Sequence, residues 1–170
     1  MLLLVMLPLQ PAAAQTAPAA PPAWTFKEST DAATGKKSAT AQIRAADGTG
    51  RLIVRCDTIA IPIVSVQYIP RPPLPASDRK SIVVTIDEAS AEIAAWEFPG
   101  AGAYLGEPYD VFSLAEKIAA AKTIRLNTSN AAGEPIQSVF KGPGNDTLFR
   151  QVYATCGIPY ELPAVGLTNP

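Results

Sequence analysis

Two cysteines and a small set of carboxylates are the residues of this sequence with the clearest potential for chemistry. The chain has 170 residues, holds Cys56 and Cys156, and contains no histidine. Histidine is the commonest general base and the commonest metal ligand, so both roles lose their usual residue. Two cysteines cannot complete a four-ligand zinc site. We therefore expect no metal, no cofactor and no Cys-His nucleophile.

The carboxylates are the groups that remain for acid-base work. They lie at Asp57, Asp78, Asp87, Glu88, Glu92 and Glu97. Two such acids facing one cleft would suit a hydrolase of cell-wall glycan or another polymer, which is one alternative function. Scattered acids at strand ends are usually solvated or cap the backbone, so we assign no catalytic residue.

Residues 1–14 predict the compartment of the mature protein, and with it the redox environment of the two cysteines. Residues 1–14 read M-L-L-L-V-M-L-P-L-Q-P-A-A-A, an apolar run with an A-x-A cleavage site after Ala14, as in a secretory signal peptide. The apolar run of about eight residues is short of the ~20 that span a bilayer as a helix. We expect a periplasmic or secreted protein with no stable membrane insertion.

Export makes a disulfide the simplest fate of Cys56 and Cys156. The bond would close a loop of about 100 residues over nearly the whole folded region. The alternative is a pair of buried, unpaired thiols that behave as small hydrophobic groups.

The remaining composition defines the domain and excludes one partner class. Fourteen basic and fifteen acidic residues give a formal net charge of -1, so nucleic acid is not expected as a partner. Residues 15–23 form an Ala/Pro-rich linker, and residues 24–170 are long enough for a single β-rich domain with its own core.

Period-two patterns predict most of the secondary structure. In the stretch R-L-I-V-R-C-D (51–57), every second residue is apolar and Cys56 shares the apolar face. A hairpin turn at Asp47-Gly48 joins this stretch to a strand before it. Further strands are predicted over residues 61–69, 81–87, 93–98, 124–128 and 136–140. The run 61–69 changes phase near Ser65, which indicates a bulge or burial on both faces.

Two helices complete the prediction. Ser113 and Glu116 have the spacing of a capping box, which predicts a helix over 113–122, and Asp146 is the expected cap of a helix over 146–156. Glycines and a proline in residues 100–110 indicate a loop. The predicted fold is α+β: a mainly antiparallel β-sheet, formed into a sandwich or half-barrel, with two short helices packed on it.

Aromatic residues are the candidates for a binding surface. Trp96, Tyr104 and Tyr109, together with Arg71 in the proline-rich stretch, are the residues we single out. The alternative is that such aromatic side chains fill the core.

The order of these features resembles a group of small exported bacterial proteins. It consists of L-I-V-R-C-D, a strand that ends at Asp87, Trp96, the stretch I-A-A-A-K-T-I-R-L, Gly133, Phe140 and a late Cys156. This arrangement resembles periplasmic accessory proteins linked to type VI secretion and, more distantly, the invasion-associated locus B family. The resemblance implies a signal-bearing, β-rich, cysteine-paired protein without a catalytic signature.

These observations predict an exported, non-catalytic accessory or binding protein of the bacterial envelope, stabilised by one disulfide. Its expected partner is another envelope protein or polymer. Besides the hydrolase, a second alternative is a protease inhibitor that presents the loop Pro70 to Pro75 as a rigid segment.

Overall fold

The structure is a computed structural model that describes residues 22–58, 60–77, 81–89, 92–93 and 95–163. The predicted signal peptide and most of the predicted linker lie outside these ranges and stay predictions. The strands and helices are β1 (Thr25–Thr30), β2 (Lys37–Arg44), β3 (Gly50–Thr58), β4 (Pro62–Pro70), β5 (Val83–Ile86), β6 (Glu92–Ile93), β7 (Glu97–Gly100), β8 (Gly102–Leu105), α1 (Pro108–Ala120), β9 (Thr123–Ser129), β10 (Pro135–Lys141) and α2 (Thr147–Thr155).

The strands form two antiparallel sheets. The larger has the order β1-β2-β3-β4-β8-β7, and the smaller has the order β10-β9-β5-β6. Consecutive strands β1 to β4 pair side by side, as expected for hairpins. The predicted class, a mainly antiparallel α+β fold with two helices, is confirmed.

Strand β3 lies near the middle of the larger sheet. The face that the sequence predicts to be apolar is the face that is buried. Leu52, Val54 and Cys56 are at most 1% exposed and belong to the core. Helix α2 packs on β2 and β3, and the disulfide between Cys56 and Cys156 is present, with the two Cα atoms 6.0 Å apart. The bond therefore joins the centre of the larger sheet to the end of the last helix.

A buried polar contact joins the two sheets. The hydroxyls of Tyr68 on β4 and Ser138 on β10 lie 2.7 Å apart, and the Tyr68 ring meets the Phe140 ring edge to face. Tyr68 and Ser138 are fully buried. Burial raises the pKa of Tyr68, and the hydrogen bond with Ser138 opposes that shift. Each hydroxyl thus depends on the other to satisfy its hydrogen-bonding capacity in the core.

We expect Tyr68→Phe to lower the free energy of unfolding by about 1–2 kcal/mol, because the Ser138 hydroxyl is left buried without this partner. Ser138→Ala should cost a similar amount, and the double variant should cost clearly less than the sum. Urea denaturation measures all three. Tyr109→Phe, at a side chain that is 53% exposed, is the control and should change little. If the loss in the double variant equals the sum of the two single losses, the two hydroxyls are not coupled.

The start of the first helix differs from the prediction. Helix α1 begins at Pro108, so Ser113 lies inside it and the Ser113–Glu116 pair is not its cap. Proline suits the first helical position because its φ is already helical and its missing N–H has no partner there anyway. Leu114, Ile118 and Ala121, which recur at helical spacing in the sequence, are all buried.

The region before α1 also differs from the structure predicted for it. Residues 100–110 are not a loop, because β8 pairs with β4 and the first turn of α1 follows. The predicted strand 93–98 is split: β6 pairs with β5 in the smaller sheet, whereas β7 pairs with β8 in the larger one. The chain thus crosses between the sheets near Trp96, whose side chain, like that of Phe98, is buried.

The phase change predicted in β4 and the helix predicted after Asp146 are both present in the structure. Strand β4 keeps an unbroken register with β3, and Val64, Ser65 and Val66 are all buried, so the phase change reflects burial on both faces. The helix after Asp146 is present, but its carboxylate binds Arg150 and makes no side-chain cap hydrogen bond.

The proline-rich loop that follows β4 is attached to the body of the domain by a backbone hydrogen bond from Arg71 to Thr49 and by Leu74. Leu74 is 1% exposed and bridges Ala101, while Arg71, Pro72 and Pro75 are exposed. Leu74 therefore anchors the loop to the body of the domain, and the loop does not project freely along its whole length.

Candidate functional site

A gap in the larger sheet forms a cleft of about 730 Å³. Strand β8 pairs with only three residues of β4, from Val66 to Tyr68. After Leu105 the chain turns away through Gly106 into α1. Among the described residues, the stretch Pro62–Ser65 of β4 therefore pairs with β3 alone, and we name it the free half of β4.

Several parts of the chain enclose this cleft, and most of their lining side chains are apolar. The start of β4, the start of α1 and the segment that follows α2 contribute most of the lining, and β7, β8 and α2 contribute one residue each. The apolar and aromatic lining residues are Ile61, Pro62, Ile63, Val64, Tyr104, Pro108, Val111, Phe112, Tyr153, Ile158, Pro159, Leu162 and Pro163.

The disulfide positions one wall of the cleft. Helix α2 ends at Thr155, and Gly157 has a φ of 67°, a conformation that glycine adopts without a Cβ penalty. Cys156 is bonded to β3, so the segment that runs from Ile158 to Pro163 starts from a fixed point beside β4. The Cys156 sulfur lies 3.8 Å from the carbonyl oxygen of Ile63, which also lines the cleft.

The rim of the cleft is acidic. Glu97, Glu107 and Glu161 line it and are exposed, and no lysine or arginine is among the lining residues. The chain as a whole is nearly neutral, with a formal net charge of -1, so this is a local excess of negative charge. The cleft therefore favours a ligand that combines apolar surface with positive charge.

Two tyrosine hydroxyls near the cleft are buried without a hydrogen-bond partner within the described ranges, those of Tyr153 and Tyr160. Their rings meet edge to face with centroids 5.0 Å apart, and the Arg150 guanidinium lies 4.8 Å from the centre of the Tyr160 ring. The two phenol rings therefore pack against each other, and Tyr160 also lies beside the Arg150 guanidinium.

Burial raises the pKa of Tyr153, and Tyr160 adds to that shift. Burial, followed by the charges of Asp146 and Glu116, raises the pKa of Tyr160 to about 12, while Arg150 acts in the opposite direction. Both hydroxyls are consequently neutral donors at neutral pH, and Tyr153 is also a lining residue of the cleft.

The four candidate binding residues lie in different settings. Tyr104 lines the cleft, and Tyr109, which is 53% exposed, is the neighbour of the lining residue Pro108. Arg71 is exposed in the loop after β4. Trp96 is buried in the core, where its Nε1 has no hydrogen-bond partner among the described residues. Only Tyr104 of the four is a lining residue, and a binding role for any of them stays a prediction.

Within the described part of the chain, the acids singled out from the sequence do not meet in one place. Asp57 forms a two-point ion pair with Arg55, with both N–O distances 2.6 Å. Asp87 accepts hydrogen bonds from the backbone N–H groups of Lys122 and Thr123. Of the described acids in this set, Glu97 alone lines the cleft, whereas Asp78 and the side chain of Glu92 lie outside the described residues.

Sequence reasoning missed most of the cleft. Ile61, Phe112 and Leu162 were not singled out, nor were Glu107 and Glu161. One signal was present: the stretch I-P-Y-E-L-P after Cys156 carries apolar residues that belong to no helix or strand pattern. Ile61 and Leu162 are 73% and 55% exposed, which is unusual for such large apolar side chains in a folded domain.

Comparison with known proteins adds no constraint on the site. No family model, no curated protein and no solved structure matches this chain. The described part of the chain contains no helix that is long and apolar enough to cross a membrane, and no group of three or more potential ligand side chains placed to hold a metal ion. The resemblance to exported accessory proteins, which was inferred from the sequence, stays a prediction.

Proposed function

We propose that this protein is exported and binds another component of the bacterial envelope in the cleft, without catalysing a reaction. The observation that carries the proposal is the apolar cleft beside the free half of β4. Its volume of about 730 Å³ lies within the range of roughly 300–1,000 Å³ that is typical of ligand sites. The disulfide supports export, because such bonds persist in oxidising compartments.

Exposed apolar side chains at the mouth of the cleft support binding to a partner. Ile61 and Leu162 both line the cleft, and water covers most of their surface. Burying a side chain of this size contributes about 1.5–3 kcal/mol, which a partner would recover on binding. Because both are exposed, they can be changed without opening a hole in the core.

The test is capture of a partner from envelope extract under gentle crosslinking. The protein is isolated from the periplasm, where the proposed signal cleavage predicts Gln15 as its first residue. We expect Ile61→Ser combined with Leu162→Ser to reduce the yield of the captured partner at least tenfold. Val139→Ser is the matched control, because Val139 is 38% exposed on β10 and does not line this cleft.

Two results would contradict the proposal. One is that the wild-type protein captures no partner. The other is that the double variant and the Val139→Ser control capture the partner equally well, since the cleft would then have no part in binding.

A carboxylate-based hydrolase is the second candidate, and one observation favours it. Glu97, Glu107 and Glu161 line the same cleft. A retaining glycosidase needs two carboxyl groups about 5–5.5 Å apart, and an inverting one needs about 6.5–9.5 Å. Purified protein would have to release soluble fragments from cell-wall glycan, and Glu97→Gln or Glu107→Gln would have to abolish that release. Binding without release supports the non-catalytic function.

A further inference from the structure

The backbone of the free half of β4 has a direction that follows from the hydrogen bonds of the larger sheet. The N–H of Arg71 donates to the carbonyl oxygen of Thr49 at 2.8 Å, at the end of the β3–β4 ladder. In an antiparallel pair, hydrogen-bonded and non-hydrogen-bonded positions alternate. Odd-numbered residues of β4 therefore point their N–H and C=O groups towards β3, and even-numbered residues point them to the other side.

On that other side, β8 pairs with only part of the edge of β4. Val66 and Tyr68 are opposite Leu105 and Ala103 of β8. Val64 is the next even-numbered residue, and β8 has already left the sheet at that point. The N–H and C=O of Val64, together with the C=O of Pro62, thus face the cleft instead of a neighbouring strand.

The cleft has the lining expected of a missing strand. Ile63 and Tyr104 belong to one face of the sheet, because Tyr104 is opposite Gln67 and side chains alternate along β4. Val64 belongs to the opposite face, which packs on the core. Side chains from both faces line the same opening, so the opening lies in the plane of the sheet.

We propose that an extended, apolar polypeptide segment that carries lysine or arginine binds in this gap as an added strand. Its backbone pairs with the free half of β4, its apolar side chains enter the cleft, and its basic side chains lie beside Glu97, Glu107 and Glu161. This inference rests on the proposed function and specifies the chemistry of the partner.

Two features select a basic polypeptide over other ligands. An exposed strand edge recognises the regularly spaced donors and acceptors of an extended backbone, which a sugar or an acyl chain does not offer. The charge of the rim is complementary to a cation, because three carboxylates and no basic side chain line the cleft. The free half of β4 has four residues, so the paired segment is about 13 Å long at about 3.3 Å per residue. Pro62 has no N–H, which limits pairing at that end.

The probe is the fluorescent peptide acetyl-Lys-Leu-Val-Ile-Lys-amide, and its binding to the full oxidised chain is measured by fluorescence anisotropy. Two matched peptides separate the parts of the proposal. One carries glutamate at both lysine positions, and the other carries N-methyl groups on the central valine and on the leucine before it, which removes a backbone donor that faces β4 in either register. We expect each of them to bind at least tenfold more weakly than the probe.

Two triple variants test the rim at equal net charge. Glu97→Gln with Glu107→Gln and Glu161→Gln should weaken binding of the lysine peptide about tenfold. The control combines Glu28→Gln, Glu88→Gln and Glu134→Gln, which are exposed and do not line the cleft. Both triple variants add three to the formal net charge, so a loss in the first alone assigns the effect to the rim. In addition, hydrogen exchange at the Val64 amide should slow when the peptide binds.

Several outcomes would overturn the inference. Equal binding of the lysine and glutamate peptides would exclude charge recognition, and equal binding of the N-methyl peptide would exclude an added strand. A photoreactive phenylalanine at position 61 should crosslink to the peptide. Crosslinking instead to a second copy of the chain, or to residues 164–170 of its own chain, would assign the gap to that occupant.

The two proposals can fail separately. If none of the peptides binds, but an envelope partner is still lost with the Ile61 and Leu162 variants, this inference fails and the proposed function stands. If the lysine peptide binds as expected while no envelope partner is captured, the added-strand site stands and the proposed function fails.

Discussion

Replacing Cys56 with serine should lower the free energy of unfolding by up to about 4.7 kcal/mol, the entropic value for a loop of about 100 residues. Cys156 is 100 positions away in sequence, and both cysteines are buried. Without the bond, the unfolded chain gains conformational freedom. Urea denaturation of the oxidised protein measures the loss.

Cys156→Ser and the double serine variant are the controls for the disulfide. All three variants remove the same bond, so their losses should agree, and reduction of the wild type should reproduce them. A thiol reagent should label no cysteine in the native oxidised protein. Labelling of both cysteines, or a single-variant loss below about 1 kcal/mol, would contradict a structural role.

The same bond should control the cleft. The segment from Ile158 to Pro163 forms one wall and is fixed to the sheet through Cys156. We therefore expect the disulfide variants to lose peptide binding even at temperatures where they remain folded by circular dichroism. Unchanged binding in such a folded variant would show that other contacts hold the wall in place.

Gly142→Ala should destabilise the fold by about 3 kcal/mol or more, because overpacking that meets rigid atoms is at the upper end of its usual cost. A Cβ at Gly142 would collide with the carbonyl carbon and oxygen of Ala121, which are main-chain atoms at the end of α1. The N–H of Gly142 also donates to the carbonyl oxygen of Lys122. The close approach joins the end of β10 to the end of α1.

Gly106→Ala is the matched control for Gly142→Ala. A Cβ at Gly106 would meet only the outer part of the Tyr104 ring, which can rotate away. Its loss of stability should therefore be small, while the position of Tyr104 in the cleft should change. The melting temperatures of the two variants are compared directly, and a loss at Gly142 no larger than that at Gly106 would contradict the backbone clash.

Local patterns predicted those parts of the fold in which neighbouring segments pair. The hairpin of β2 and β3 follows from alternation and the Asp47-Gly48 turn, and the burial of Cys56 follows from the same alternation. The buried face of β10, with Ile136, Ser138 and Phe140, follows from alternation in the same way. In each case the information lies within about ten residues.

The errors lie where a contact distant in sequence decides the conformation. The stretch G-A-Y-L of β8 is too short, and lies too close to Gly100 and Gly106, to identify as a strand. It forms a strand because it pairs with the edge of β4. The Ser113–Glu116 spacing imitates a capping box, yet Pro108 begins the helix earlier and brings Val111 and Phe112 into the buried face. The strand predicted over 93–98 divides because its two ends pair with different sheets.

By itself the sequence determined the class of the fold, the hairpin around β3 and the cysteine pair, because alternation is a local property and the number of cysteines is a compositional one. Only the tertiary structure decided the cleft. It exists because β8 leaves β4 after three paired residues, and because the disulfide holds the segment from Ile158 to Pro163 beside the strand edge that β8 leaves uncovered. No local pattern encodes how many residues two strands distant in sequence will pair. Nor does it encode the path of a segment without regular structure, such as the one that follows α2.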